Sequence, residues 1–203
     1  MMGGSKVILA IESAIGGGSL SLASDGRQVD AWVGEGGLSR AEDLLPNIDL
    51  LLKRNAINKA EITQIVVSVG PGSFTGIRIG LATAMGLASA LNIELAKFSI
   101  LHAMTTGVSV SEGVKSIIAA VPVGRGVICT QRFRSSADSI IAIDGPTAIS
   151  AEGFNTEELS LNNDLLTPEN FPQGLANCLI AAVIHGKIHQ ADEPLFIAKP
   201  ANI

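Results

Sequence analysis

Gly70-Pro71-Gly72-Ser73-Phe74-Thr75-Gly76-Ile77-Arg78-Ile79-Gly80-Leu81-Ala82-Thr83-Ala84 opens the stretch, continuing to Leu91, whose reading decides the fold. An apolar run, Ile65–Val69, ends at the Gly-Pro-Gly turn. The residues that follow have the spacing of a helix from about Phe74 to Leu91, with Arg78 and a few hydroxyls as its only polar groups. A surface helix carries one apolar stripe and one polar face. This one is apolar on nearly every side, so it has to be covered twice. Gly76, Gly80, Ala84 and Ala88 recur every four residues, a row of small side chains that lets a second backbone approach closely. One face is expected on the chain's own sheet and the other against a partner helix. The alternative is burial within a large core.

The chain has 203 residues, enough for one large domain or two small lobes. Apolar residues make up 47% and charged residues 16%, a folded composition without charge runs. The net charge is −5 with 14 scattered basic residues, which argues against unaided binding to nucleic acid. Cys129 and Cys178 are too few for a disulfide framework or a zinc knuckle and read as buried apolar groups in a reducing compartment. The run Val7–Ile11 is cut at Glu12, too short for a signal peptide. No stretch is read as approaching the roughly 18 apolar residues of a membrane span, so the expectation is a cytoplasmic protein.

Outward from the central helix, Val7–Ile11, Ser19–Ala23 and Val29–Val33 read as strands joined by Gly16-Gly17-Gly18 and the tight Asp25-Gly26 turn. Ser39 and Glu42 form a capping box for a helix carrying Leu44, Leu45, Ile48, Leu51 and Leu52, kinked at Pro46. Lys53 and Arg54 lie in its last turn, where cations suit the dipole. With Ile65–Val69, the Phe74–Leu91 helix and a strand near Glu94–Phe98, the order is β-β-β-α-β-α-β. This is the order of a ribonuclease H-like or actin-like ATPase lobe: an α/β fold with mixed sheets flanked by helices. A first lobe is expected over 1–100 and a smaller, degenerate one over 101–203. There, Ser116–Val121, Gly126–Arg134 and Ser139–Ile143 read as strands, residues 151–172 as an irregular connection, and Gln173–His185 as a helix ended by Gly186. Pro194–Ala198 reads as a last extended piece.

Candidate chemistry is sparse. Gly70, Gly72 and Ser73 sit between strand and helix, where free N–H groups bind anions, yet no lysine follows as in a P-loop and a structural turn is the favoured reading. Glu12 and Ser13 end the first strand and read either as a metal-phosphate acid with a neighbouring hydroxyl or as a solvated strand end. His185 and His189 have helical i, i+4 spacing, but Gly186 intervenes and no third ligand stands nearby, so no metal site is assigned. His102 stands alone, and no G-x-S-x-G elbow exists. No catalytic residue is assigned.

Residues 70–84 resemble the signature of the TsaB (YeaZ) family, the non-catalytic subunit in bacterial synthesis of the threonylcarbamoyl modification of adenosine in tRNA. Val7–Ile11, Glu42-Asp43-Leu44-Leu45-Pro46 and Pro194-Leu195-Phe196-Ile197 resemble its first strand, first helix and closing motif. The chain departs from the family at Glu12-Ser13-Ala14, where Asp-Thr-Ser is usual. Further departures fall at Arg40-Ala41-Glu42, where His-Ser-Glu is usual, and at Pro122-Val123-Gly124-Arg125, where an Asp-Ala-Arg-like stretch is expected.

The resemblance implies a two-lobed actin-like ATPase fold without the metal-binding histidines of the catalytic paralogue TsaD. It implies pairing with TsaD through first-lobe helices, a TsaE-like ATPase joining the pair, and a homodimer in the absence of TsaD. Contact with tRNA would then be indirect, and there would be no intrinsic cofactor, ATP or ADP being left to an interface with partners. The expected interface comprises Leu44, Leu45, Ile48, Leu51 and Leu52 with Gly76, Ile77, Gly80, Leu81, Ala84, Leu87 and Ala88. On this reading Ala84→Arg abolishes dimerisation and leaves the lobe folded. The enzymatic rival is a small ATPase or sugar kinase of the same superfold using Glu12 and Asp144. A metalloprotease, the label once attached to the superfamily, lacks its metal ligands.

Overall fold

A computed structural model describes residues 5–35, 41–106, 116–135, 139–160 and 163–195. Strands β1 (Val7–Glu12), β2 (Ser19–Ser24) and β3 (Arg27–Val33) form an antiparallel meander, its second turn made by Asp25 and Gly26, both at positive φ. That backbone pair is the one whose twist matches a two-residue hairpin. β4 (Ile62–Ser68) and β5 (Glu94–Phe98) extend the sheet in parallel, giving the order β3-β2-β1-β4-β5. The helices α1 (Ala41–Arg54) and α2 (Phe74–Leu91) supply the crossovers.

The two faces of this sheet differ in a way the alternation of side chains explains. Leu9, Ile11, Leu20, Leu22, Ile65 and Val67 point to one side and meet Leu44, Ile48, Leu51 and Leu52 of α1 and Ala84 and Ala88 of α2. Ile8, Ala10, Ala23 and Val66 point to the other and meet α3 (Ile100–Met104) and α5 (Ala176–His185). That second layer is shared with a second sheet, through Ile117, Ala119, Val121, Cys129 and Phe133. The stack is therefore α1/α2, first sheet, α3/α5, second sheet.

The second sheet is ordered β10-β6-β7-β8, with β6 (Ser116–Gly124), β7 (Val127–Ser135) and β8 (Ile140–Ala142) antiparallel. β9 (Thr147–Ser150) also pairs with β7. The stretch expected to be irregular holds a short helix, α4 (Thr156–Ser160), and β10 (Asn163–Leu166), which adds in parallel to β6. The chain leaves the first sheet after Phe98, and α5 returns to it. Ala176 N–H donates to Ser19 Oγ at 2.9 Å, and Gly174 lies so near Ser19 that a methyl group would meet its Cβ at 2.5 Å.

The Ser39 half of the predicted capping box and the end of the closing motif lie outside the described residues. Contrary to the sequence reading, α2 has the length and apolarity to cross a membrane, a test that core helices also pass. Five of its residues are buried within the chain.

Candidate functional site

The joint between β1 and α2 is built from the residues that read as an anion site. Ser73 caps α2, its Oγ accepting from Gly76 N–H at 3.4 Å, while its own N–H donates to the Ala14 carbonyl at 2.9 Å. Gly70 N–H donates to Ser68 Oγ at 3.1 Å, and Gly72 lies against Ala14, where a methyl group would meet Ala14 Cβ at 2.5 Å. Ser13 Oγ donates to the Gly76 carbonyl at 2.8 Å. Gly70 N–H, Ser73 N–H and the Ser13 hydroxyl, three of the groups expected to meet phosphate, are thus engaged within the chain.

Glu12 is neither a solvated strand end nor an open ligand. It is 1% exposed and folds back to accept the Ala14 N–H at 2.6 Å. Burial pushes its pKa up to about 7, against the opposing pull of the Ala14 and Ile15 amides. Asp144, the second acid of the kinase reading, lies beyond β8 on the second sheet. There Arg132 donates to both its oxygens, through N–H at 2.9 Å and Nε at 2.6 Å. Gly186 adopts the left-handed conformation and ends α5 at His185, so the helical face that would align His185 with His189 does not form. Among the described residues no three His, Cys, Asp or Glu side chains gather as metal ligands. Burial pushes the thiols of Cys129 and Cys178 up to about 11 and about 12, which leaves both without nucleophilic thiolate at neutral pH.

The expected interface residues are placed differently from the sequence reading. Leu44, Ile48, Leu51, Leu52, Gly76, Ile77, Gly80, Ala84 and Ala88 are all buried within the chain itself. The small-residue row is needed there: a Cβ on Gly76 would run into the Ser13 carbonyl and one on Gly80 into Ser13 Oγ. Close approach is the use of Gly76 and Gly80, whose neighbour is the turn after β1, while Ala84 and Ala88 pack into the apolar cluster on the first sheet. Leu81 and Leu87 are partly buried over the same core.

What remains outward is a face that sequence reasoning passed over. At about 100° per residue, Phe74, Arg78, Ala82, Met85 and Ser89 fall within roughly 80° of one another on α2. Phe74 is 56% and Met85 58% exposed, and the Arg78 guanidinium lies over the Phe74 ring at 5.3 Å. On α1, Leu45 and Leu50 are also more than half exposed. Cavities lie elsewhere among the described residues. One of about 390 Å³ is lined by Asn170, Phe171, Gln173, Asn177, Ala181 and His185, and one of about 430 Å³ runs along β3. The first is lined mainly by side-chain amides and apolar groups.

The Gly76 contact gives a direct test of this joint. Alanine ordinarily gains about 1 kcal/mol over glycine inside a helix. Here overlap with the Ser13 backbone reverses the sign, and Gly76→Ala is expected to cost about 1–3 kcal/mol. Denaturant midpoints at constant m-value measure it, and an unchanged or raised midpoint contradicts the close approach.

A family model described as TsaD, tRNA N6-adenosine threonylcarbamoyltransferase, matches residues 39–173. The chain is 29% identical to the tRNA threonylcarbamoyladenosine biosynthesis protein TsaB of Escherichia coli (strain K12), over 66% of this chain and 57% of that protein. It is 32% identical to the protein of that name from Buchnera aphidicola subsp. Baizongia pistaciae (strain Bp), over 59% of this chain and 54% of the other. It thus matches little more than half the length of these curated relatives. Among solved structures, YeaZ from Pseudomonas aeruginosa superposes with a TM-score of 0.69 at 18% identity, covering 96% of this chain and 100% of that one. The shared architecture is the two-lobed actin-like ATPase fold, with mixed sheets flanked by helices.

Proposed function

Because the chain belongs to the family that the TsaD model describes, and within it to the TsaB (YeaZ) group, we propose that it serves tRNA threonylcarbamoyladenosine biosynthesis as a non-catalytic subunit. Its task is to dock on a TsaD-like paralogue through the outward faces of α1 and α2. The observation that carries this reading is the exposure of Phe74 and Met85 on one side of the apolar helix α2, with Leu45 and Leu50 also exposed on α1. Large exposed apolar side chains on helices that touch one another favour a covering partner. The closed joint at Glu12, Ser13 and Gly72 supports a subunit without its own phosphate site. In this reading ATP or ADP belongs at an interface with partners, a TsaE-like ATPase among them, and tRNA is met through the complex. The same face joins two copies when the paralogue is absent.

Light scattering on a sizing column, for the chain alone and mixed with the TsaD-like protein of its own organism, is the test. A dimer that converts to a one-to-one complex is expected, and Met85→Arg should weaken that complex at least about tenfold by placing an unpaired charge in it. A complex that forms equally well with Met85→Arg removes this face as the docking site. Metal-dependent ATP hydrolysis by the isolated chain would favour the kinase-like alternative.

A further inference from the structure

We propose that the side chains of Arg54 and Asp30 close the free edge of the first sheet against strand pairing with a second copy of this chain. The two edges of that sheet are treated differently. Along β5, residues 190–195 lie beside the strand: Ala191 N–H donates to the Lys97 carbonyl at 2.8 Å and Lys97 N–H to Gln190 Oε1 at 3.3 Å. Along β3, no strand lies beyond it among the described residues. An uncovered edge offers a row of N–H and C=O groups to any extended chain.

At the middle of β3 those groups are occupied by side chains. Ala31 N–H donates to Asp30 Oδ1 at 2.8 Å, and the Ala31 carbonyl accepts from Arg54 Nη2 at 2.8 Å. Arg54, the last residue of α1, also grips both Asp30 oxygens, and Asn55 Nδ2 donates to Asp30 Oδ2 at 2.6 Å. Arg54 holds the Asp30 carboxyl below its ordinary range, so the clamp stays charged. Remove it and Ala31 presents a donor and an acceptor outward, with Val29 and Val33 exposed on either side and the 430 Å³ groove open beside them. Antiparallel pairing centred on Ala31 brings Val29 of one copy opposite Val33 of the other. The contact is the same patch on both chains and closes as a two-fold dimer.

The test places cysteines at both positions, Val29→Cys with Val33→Cys, and compares the closed edge with one opened by Arg54→Ala and Asp30→Ala. Disulfide-linked dimer under mild oxidation is expected to rise at least about tenfold on opening, since the edge then has free backbone partners. Cysteines at these positions report this edge and not the face of α2. Equal cross-linking in both forms overturns the proposal. If the double removal unfolds the chain, Arg54→Lys and Asp30→Asn keep the shape and weaken the clamp singly. Intermediate cross-linking supports the proposal in that case, and yields equal to the closed form overturn it.

Discussion

Ala84→Arg is expected to unfold this chain, while the same change at its neighbour Met85 leaves it folded and removes the partner. Ala84 is 0% exposed and packed against the apolar side of the first sheet, whereas Met85 is 58% exposed. A guanidinium at position 84 would have to enter a cluster of buried apolar side chains. An unpaired buried charge costs several kcal/mol, out of a total stability of about 5–15 kcal/mol for a domain. Loss of the cooperative far-UV transition is the predicted signature at position 84. At position 85 the transition stays within about 0.5 kcal/mol of wild type, as for an ordinary surface change, and only the complex is lost. A folded, monomeric Ala84→Arg protein would show that the small-residue row faces outward after all.

The second large effect is carried by Glu12 and depends on pH. Burial pushes its carboxyl up to about 7 in the folded chain, against 4.5 for a glutamate in water. Below about 4.5 both states are protonated, and the folded chain has its full stability with respect to this group. As pH rises towards 7, the unfolded chain gives up its proton first and stability falls. Taking 1.36 kcal/mol per unit, the loss amounts to about 3 kcal/mol once pH exceeds 7. Glu12→Gln keeps an oxygen for the Ala14 amide and removes the titration. It should therefore be more stable than wild type by about 3 kcal/mol at pH 8, with the gain fading to nothing near pH 4. Urea midpoints at several pH values measure this. Parallel pH profiles for the two proteins would mean that Glu12 ionises normally.

Much of the first lobe could be read from residues alone because each signal there is strong and local. The β1–β3 alternation, the Asp25-Gly26 turn and the apolar run of β4 each have one sensible structure, and α2 begins and ends where its pattern does. The orientation of α2 could not be read. A row of small residues suits a turn of the same chain as well as a partner helix, and only the register with Ser13 decides between them. Glu12 misled for a related reason: burial comes from α5, far along the chain. The clamp on β3 joins Asp30 to Arg54 across 24 positions, with no pattern linking them. In the second lobe β10 has only four residues and α4 five, so neither period has room to show.

The place of α5 has a consequence in time. The first sheet gains its second cover from residues 176–185, and the hydrogen bond from Ala176 to Ser19 spans 157 positions. At about 5–20 residues per second of translation, β2 waits roughly 8–30 s for the helix that buries it. During that interval the nascent lobe shows Ile8, Ala10, Ala23 and Val66 to its surroundings. Such a chain depends on holding factors at the ribosome more than one whose layers close in order of synthesis.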